Sequence, residues 1–199
     1  AFSEEAPLRP SSPYAAAKAS GDLLALSYFT TFDLPVTITR STNNFGPYQH
    51  PEKFIPLFIT NALEDTPLPI YGDGLQVRDW LHVLDNCRAI DLVLHHGQAG
   101  TVYNVGGGNE STNLAIARAI VHELGRPESL IQHVRDRAGH DRRYAVQCDR
   151  ITALGFHPAT SFDVALRDTA RWYVDHADWW QGIKAGTFRH YYQQQYQSR

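Results

Sequence analysis

The 199-residue chain contains no methionine and only two cysteines. Cys87 and Cys148 lie far apart with no C-x-x-C spacing. That excludes a disulfide framework or a thiolate metal centre and reads as two reduced, packed thiols. The chain also lacks a large charge of either sign, since 18 Lys and Arg against 21 Asp and Glu leave a formal charge of -3. Nucleic acid as a main partner needs a clustered basic excess, so it is excluded. No apolar run approaches the ~20 residues of a membrane span. The opening AFSEEAPLRP has neither the basic nor the apolar region of a signal peptide. Ten histidines invite a metal reading, but none forms His-x-x-x-His, and the adjacent His95 and His96 point different ways. No metal site is expected. No G-x-S-x-G marks a serine hydrolase. Finally, no G-x-G-x-x-G follows a strand; the run Gly106 to Asn109 has the glycines without the spacing. A complete dinucleotide-binding fold carries that loop near its start. Together with the missing methionine and the acidic, loop-like first residues, this leads to the expectation that the natural start lies upstream of Ala1.

What is present is an ordinary globular composition, 43% hydrophobic and 20% charged. Ser12 as N-cap and Pro13 at the first helical position predict a helix, stopped by Leu34-Pro35, with Leu24, Tyr28 and Phe32 on one face. Strands are expected at Val36 to Arg40, at LPIYG, at VRDWLHV, at TVYNVGG and at LIQHVRD. Further helices are expected over Phe54 to Leu63, after a cap at Asp85, from Thr112 to a closing Gly125, and after Ser161. The alternation predicts α/β layers with mostly parallel strands. The Gln- and Tyr-rich segment from about Gly182 reads as a peripheral tail.

Several runs carry candidate chemistry. Tyr14 and Lys18 stand four apart on the first helix and share a face. An ammonium beside a phenol favours the phenolate, so such a pair can take a proton from a sugar hydroxyl. An exposed helix pair with no chemistry is the competing reading. The small Ala15 to Ala17 leave room for a flat cofactor to approach. Asn43 and Asn44 follow a strand directly, where open α/β sheets place ligands, although Asn, Gly and Pro also make plain turns. Lys53 precedes a helix. Tyr71 offers an aromatic face for a base and Arg78 a fork for phosphate oxygens; core packing and a salt bridge to Asp73 or Asp79 are the alternatives. DRAGHDRRY, Asp136 to Tyr144, has three Arg and two Asp, which suits a ribose and a diphosphate or else a solvated loop.

In order, SSPYAAAKAS, TITRSTNNFGPYQHPEKFIPLFI, LPIYGDGLQVRDWLHV, VYNVGGGNESTN and DRAGHDRRYA closely resemble the dTDP-glucose 4,6-dehydratases, a family of extended short-chain dehydrogenase/reductases. The resemblance covers nearly all of residues 1 to 180. YGDG-x-x-x-R is shared with related epimerases and decarboxylases, whereas HPEK and DR-x-GHDRRYA are narrower. The family implies a Rossmann-type doubly wound sheet with a smaller α/β sugar-nucleotide domain. Residues 1-50 would be the later part of the NAD-binding domain, residues 51-181 mainly the substrate domain with the chain crossing back, and residues 182-199 a tail. The resemblance makes Tyr14 the active-site base and Lys18 its partner on the nicotinamide ribose. Asn44 would contact NAD, and Asn43, Lys53 and Phe54 the substrate. Pro69, Ile70 and Tyr71 would wall the thymine. Arg78, near the diphosphate, and Asn113 would be further substrate contacts, and Asp136, Arg137, Ala138, Gly139 and His140 would form the loop that holds the nucleotide. One small departure is Val83-Leu84-Asp85, where the family often has an acid at the middle position.

The resemblance implies NAD-dependent dehydration of dTDP-glucose in deoxysugar biosynthesis: oxidation at C4, loss of water across C5 and C6, and return of hydride to C6. It also implies a cytoplasmic homodimer paired through helices that include the Tyr14 helix. The family's Gly-rich loop and Thr-Asp-Glu segment have no counterpart here, so the 199-residue chain by itself is expected to be inactive. The alternatives are a UDP-sugar 4-epimerase or UDP-glucuronate decarboxylase, and a non-catalytic nucleotide-sugar binding module.

Overall fold

A computed structural model of the chain describes residues 1-136 and 139-186. The described chain forms two compact units, each assembled from three separate stretches of sequence. The first comprises residues 1-44, 79-109 and 144-159. The second comprises residues 45-78, 110-143 and 160 onward.

In the first unit, helix α1 (Pro13–Phe32) begins as its sequence dictates. Ser12 is extended and its side chain accepts the Ala15 N–H at 3.1 Å, with Pro13 at the first helical position. The helix ends at Phe32, just before Leu34-Pro35, as the sequence predicts. Asp33 turns left-handed at φ 53° and donates its N–H to the Phe29 carbonyl, so the αL cap, not the proline, closes the ladder. Strand β1 (Ile38–Ser41) pairs in parallel with β5 (Val102–Val105), Ile38 opposite Val102 and Ser41 opposite Val105. Helix α3 (Val83–His96) starts at His82 rather than at a capping Asp85. Asp85 sits in the first turn, buried, where its Oδ1 accepts from Arg88 Nη1 and from the Ala159 N–H. Behind β5 lies a core of Leu81, Ala89, Val93, Tyr103, Val105, Ile151 and Phe156. Ile151 comes from a short helix, α5 (Asp149–Ala153), that has too few residues for a periodic signal. The first residues are held beside this core: Phe2 bridges to Val146, and the Asn104 side chain donates to the carbonyls of Phe2 and Gln147.

The second unit is organised around helix α2 (Phe54–Leu63), in which every residue from Ile55 to Ala62 is buried. A helix apolar on all sides belongs in a core. It packs against α4 (Asn113–Glu123), α6 (Phe162–Asp175) and strand β3 (Leu68–Tyr71). Thr112 caps α4 by accepting the Ala115 N–H, and Gly125 follows the helix at φ 62°, as the sequence predicts. Strand β3 pairs in parallel with β7 (Ile131–Val134), which sets Tyr71 opposite Val134. Burying each of Ile55, Ile59, Leu68, Ile70, Ile116 and Ile120 removes it almost wholly from water and contributes about 1.5–3 kcal/mol.

Helix α6 is not the last. A break at His176 leads into α7 (Ala177–Ala185), so the supposed tail from Gly182 starts inside a helix. Lys184 on α7 donates to Thr60 Oγ1, Asn61 Oδ1 and Glu64 Oε2 of the α2 end. Burial outweighs the Glu64 contact and holds its ammonium pKa below the usual lysine value. Strand β2 (Asn43–Phe45) and strand β4 (Val77–His82) are segments in which the chain passes from one unit to the other. Two short strands, β6 (Glu110–Thr112) and β8 (Arg143–Tyr144), complete the element list. No described helix is long and apolar enough to cross a membrane.

Candidate active-site residues

In the first unit, Tyr14 and Lys18 occupy the first two turns of α1, and both are exposed. No residue of α1 is buried. Among the described residues Lys18 makes no ion pair. Asn43 and Asn44, expected in a loop, lie in β2. The Asn44 amide donates to the Thr42 carbonyl at 3.1 Å.

The run after β5 is shaped by a carboxylate rather than by a phosphate. Asp79, nearly fully buried, accepts the Gly107 N–H at 2.9 Å on one oxygen and the Asn109 N–H at 2.7 Å on the other. A Cβ on Gly106 would stand 2.6 Å from that carboxylate, and one on Gly107 would stand 1.9 Å from the Trp80 carbonyl. The glycines at 106 and 107 are required by this close approach. Cys148 sits here with its thiol pKa pushed up to about 11 by burial, despite the Gly106 N–H.

In the second unit, the remaining candidates fall into three groups. Lys53 stands at the N-cap of α2, where its ammonium meets Glu52 at 2.9 Å and thereby lowers the Glu52 carboxyl pKa. Phe54 opens α2 and its ring packs on Phe58, centroids 4.2 Å apart. Pro69 and Ile70 are buried in β3, and Ile70 is wholly in the core. Tyr71, at the end of β3, is half-buried and meets the His140 ring edge-on at 6.1 Å.

The third group is a hydrogen-bonded chain. His140 Nδ1 lies 2.7 Å from Asp136 Oδ1, and Gln76 Nε2 donates to Asp136 Oδ2 at 3.1 Å. Gln76 is 2% exposed. Its carbonyl accepts the N–H of Asn113, the buried first residue of α4. A Cβ on Gly72, which has φ 57°, would lie 2.8 Å from Asp136 Oδ2, so the YGDG turn and the Asp136 carboxylate fit only with glycine there. Arg137 and Ala138 lie outside the described residues. Gly139 is left-handed at φ 66°.

Arg78 settles one of the sequence alternatives. Its guanidinium, largely buried, donates to the carbonyls of Val77 and Asp141 at 2.8 Å each. The two acids near it in sequence are committed elsewhere. Asp73 takes both 2.9 Å contacts from Arg142 Nη1, and Asp79 takes the two backbone N–H groups. Arg143 in turn forks onto Glu110 at 2.7 and 2.8 Å. Two of the three arginines of DRAGHDRRY therefore anchor their loop, and these pairings hold the Asp73 and Glu110 carboxyls below their usual pKa range.

Gln76 is the residue that sequence reading missed. The signal existed: in an extended run, residues 76 and 78 project to the same side, so a polar Gln two before Arg78 shares its face. Among the described residues no group of three His, Cys, Asp or Glu is placed to hold a metal ion.

Parallel strand pairs alternating with helices place the molecule in the Rossmann-type α/β class, which solved relatives share. The chain belongs to the GDP-mannose 4,6 dehydratase family, whose model matches residues 1–169. Within that family, it is 51% identical over 186 residues to a dTDP-glucose 4,6-dehydratase of Streptomyces niveus, covering 93% of this chain and 55% of that protein. Among solved structures, DesIV, the dTDP-glucose 4,6-dehydratase of Streptomyces venezuelae with NAD and TYD bound, superposes with a TM-score of 0.90 at 49% identity, covering 92% of this chain and 57% of that one. The dTDP-glucose 4,6-dehydratase of Bacillus anthracis in complex with NAD gives 0.88 at 50% identity, covering 92% and 58%. The chain thus spans little more than half the length of the relatives it matches.

Proposed function

We propose that this chain supplies the sugar-nucleotide site and the Tyr/Lys base of an NAD-dependent dTDP-glucose 4,6-dehydratase, a hydro-lyase of deoxysugar biosynthesis. The observation that carries the reading is the chain Tyr71, His140, Asp136 and Gln76 beside Arg78 in the second unit. It combines an aromatic edge for a base, a carboxylate-imidazole pair for ribose hydroxyls and a guanidinium for a diphosphate. Asn113, Lys53, Phe54, Asn43 and the Pro69-Ile70 stretch are further substrate-side residues in this reading. So are Arg137, Ala138 and Gly139, of the run that would hold the nucleotide. Buried Ile70 acts through the backbone of β3 that it anchors. The first unit is the cofactor side and the second the substrate side.

The donor set on the first unit fits a nicotinamide nucleotide. A phenol, an ammonium without an ion-pair partner among the described residues and an amide suit ribose hydroxyls and a carboxamide, and Ala15 to Ala17 between the first two carry little bulk. Tyr14, Lys18 and Asn44 would hold NAD, which supplies hydride acceptance and return when bound. Tyr14 takes the proton of the sugar C4 hydroxyl on its phenolic oxygen. Lys18 sets a positive charge one helical turn away on the same helix face. Arg78 fixes the diphosphate. The resulting 4-keto group makes the C5 proton acidic, which prepares loss of the C6 hydroxyl as water. We place the enzyme in the cytoplasm as a homodimer. The exposed Leu23, Leu24, Tyr28 and Phe32 on α1 support a pairing face there.

Titration calorimetry of the chain with dTDP, UDP and GDP tests the nucleotide half. Saturable binding of dTDP, at least tenfold tighter than of UDP or GDP, is expected. Equal binding of all three, or none, refutes the assignment. In dehydratase assays of the full-length enzyme with NAD and dTDP-glucose, Tyr14→Phe should cut turnover by orders of magnitude with dTDP affinity nearly unchanged; equal turnover rejects the role of Tyr14.

A further inference from the structure

We infer that helices α6 and α7 are a positioning clamp for the loop that carries Lys53, with Tyr173 and the Trp172–Trp179 pair as its two jaws. The inference rests on the substrate-side reading of Lys53 and Phe54 given above and adds residues that no motif marks.

Residues 46 to 53 connect β2 to α2, and nothing in regular secondary structure holds them. Two contacts do. The hydroxyl of Tyr173, a residue of zero exposure on α6, donates to the Gln49 carbonyl at 2.5 Å. Burial pushes that phenol's pKa well above its usual value, so the donor proton stays in place at any working pH. One residue earlier, the ring of Tyr48 packs 4.6 Å from Trp172 and 5.6 Å from Trp179. Tyr48 has φ 63°, one of three positive values among the non-glycine residues described. A bulky residue held in the left-handed region is strained and persists only where its surroundings over-determine it; such sites cluster at ligand clamps. The surroundings here are the two tryptophans and the Gln49 bond.

The clamp is itself fixed. Trp180 Nε1 donates to the Tyr173 carbonyl at 2.7 Å, and Lys184 ties α7 to the far end of α2. The same helix pair therefore grips the loop before α2 and the C-terminal turn of α2. The last link runs through the loop backbone: the Lys53 N–H donates to the His50 carbonyl, and the Lys53 carbonyl accepts the Leu57 N–H. Releasing Gln49 lets residues 49 to 53 sample other conformations, and apparent affinity falls by the fraction of time the competent one is lost.

Tyr173→Phe removes one hydrogen bond and keeps the ring. It should weaken dTDP-glucose binding to the chain by roughly three- to tenfold. Amide exchange should quicken at residues 49 to 54 and stay unchanged in α4. Tyr48→Phe should retain the affinity, and Tyr48→Ser should lose it. Ile151→Val, in the other unit's core, is the control for lost stability, and it should leave the affinity unchanged. If the unaltered chain binds dTDP-glucose and Tyr173→Phe binds it equally well, or no worse than Ile151→Val does, the clamp is refuted and the site assignment stands. If the unaltered chain takes no dTDP-glucose, both fall together.

Discussion

Replacing Gln76 by glutamate puts a second carboxylate into the one buried chain on which the nucleotide assignment rests. In the structure the Gln76 amide nitrogen lies 3.1 Å from Asp136 Oδ2 and the residue is 2% exposed. Two unit charges at that separation repel by about 5 kcal/mol at an effective dielectric of about 20. Asp136 is partly open to solvent, at 41% side-chain exposure, which cuts the penalty to roughly 1–3 kcal/mol. The substitution also turns a donor into an acceptor, so Asp136 loses one partner while His140 keeps its own. The loop beginning at Asp136 should swing away, with dTDP affinity falling roughly 10- to 100-fold near pH 8. The sign of the pH effect follows. Two carboxylates at one site raise the pKa of one of them. As pH drops through that raised value, the pair takes up a proton, a donor reappears, and affinity should recover by most of the loss near pH 5. Gln76→Met, similar in length and without a charge, should show a smaller loss with no recovery. Calorimetry with dTDP at the two pH values decides it. Unchanged affinity near pH 8, or a loss that persists near pH 5, refutes the argument that Gln76 positions Asp136.

Asp79→Asn should cost about 2–4 kcal/mol in urea unfolding, because one of two charge-assisted bonds is lost and a buried N–H then faces an amide donor; a change below about 0.5 kcal/mol would contradict the account of the Gly106–Asn109 turn. Exposed Cys87 should react with a thiol reagent near pH 8 in the native state, whereas Cys148, its thiol raised from 9.0 to about 11, offers roughly 100-fold less thiolate and should react only on unfolding. The Asp73–Arg142 and Glu110–Arg143 pairs lower both carboxyl pKa values. Their contribution is therefore present above 3.8 and 4.5 and lost as pH falls through the lower folded values. Exchange at residues 139 to 144, corrected for intrinsic rates, should rise selectively near pH 3, and exchange that stays unchanged there would show that the pairs do not anchor the loop.

The long elements were legible because their signals are local. Ser12-Pro13 and Thr112 announce helix starts whose caps the structure places at those residues. The apolar run Phe54 to Leu63 could only be a core helix. Asp85 misled because a carboxylate near a helix start resembles a cap, while its true partners, Arg88 and the Ala159 N–H, include one far away in sequence. Helix α7 was hidden because WWQGIK has a weak helical signal; Trp180 and Lys184 obtain their stability from Tyr173 and α2. At the site, Tyr71, Arg78 and His140 were visible as chemistry-bearing types in a recognisable order. Gln76 was not, since an amide acquires a role only through its partner, and Asp136 is distant in sequence. For the same reason, two arginines of DRAGHDRRY looked like phosphate ligands until their partners Asp73 and Glu110 were seen.

The chain crosses from one compact unit to the other five times, after residues 44, 78, 109, 143 and 159. No single exchange of sequence between two relatives can transplant one unit whole and leave the other intact. A crossover anywhere within the described chain splits at least one of them between two parents. An engineer wishing to graft the second unit would have to replace three separated stretches at once, with Asp136 and Gln76 travelling in different pieces.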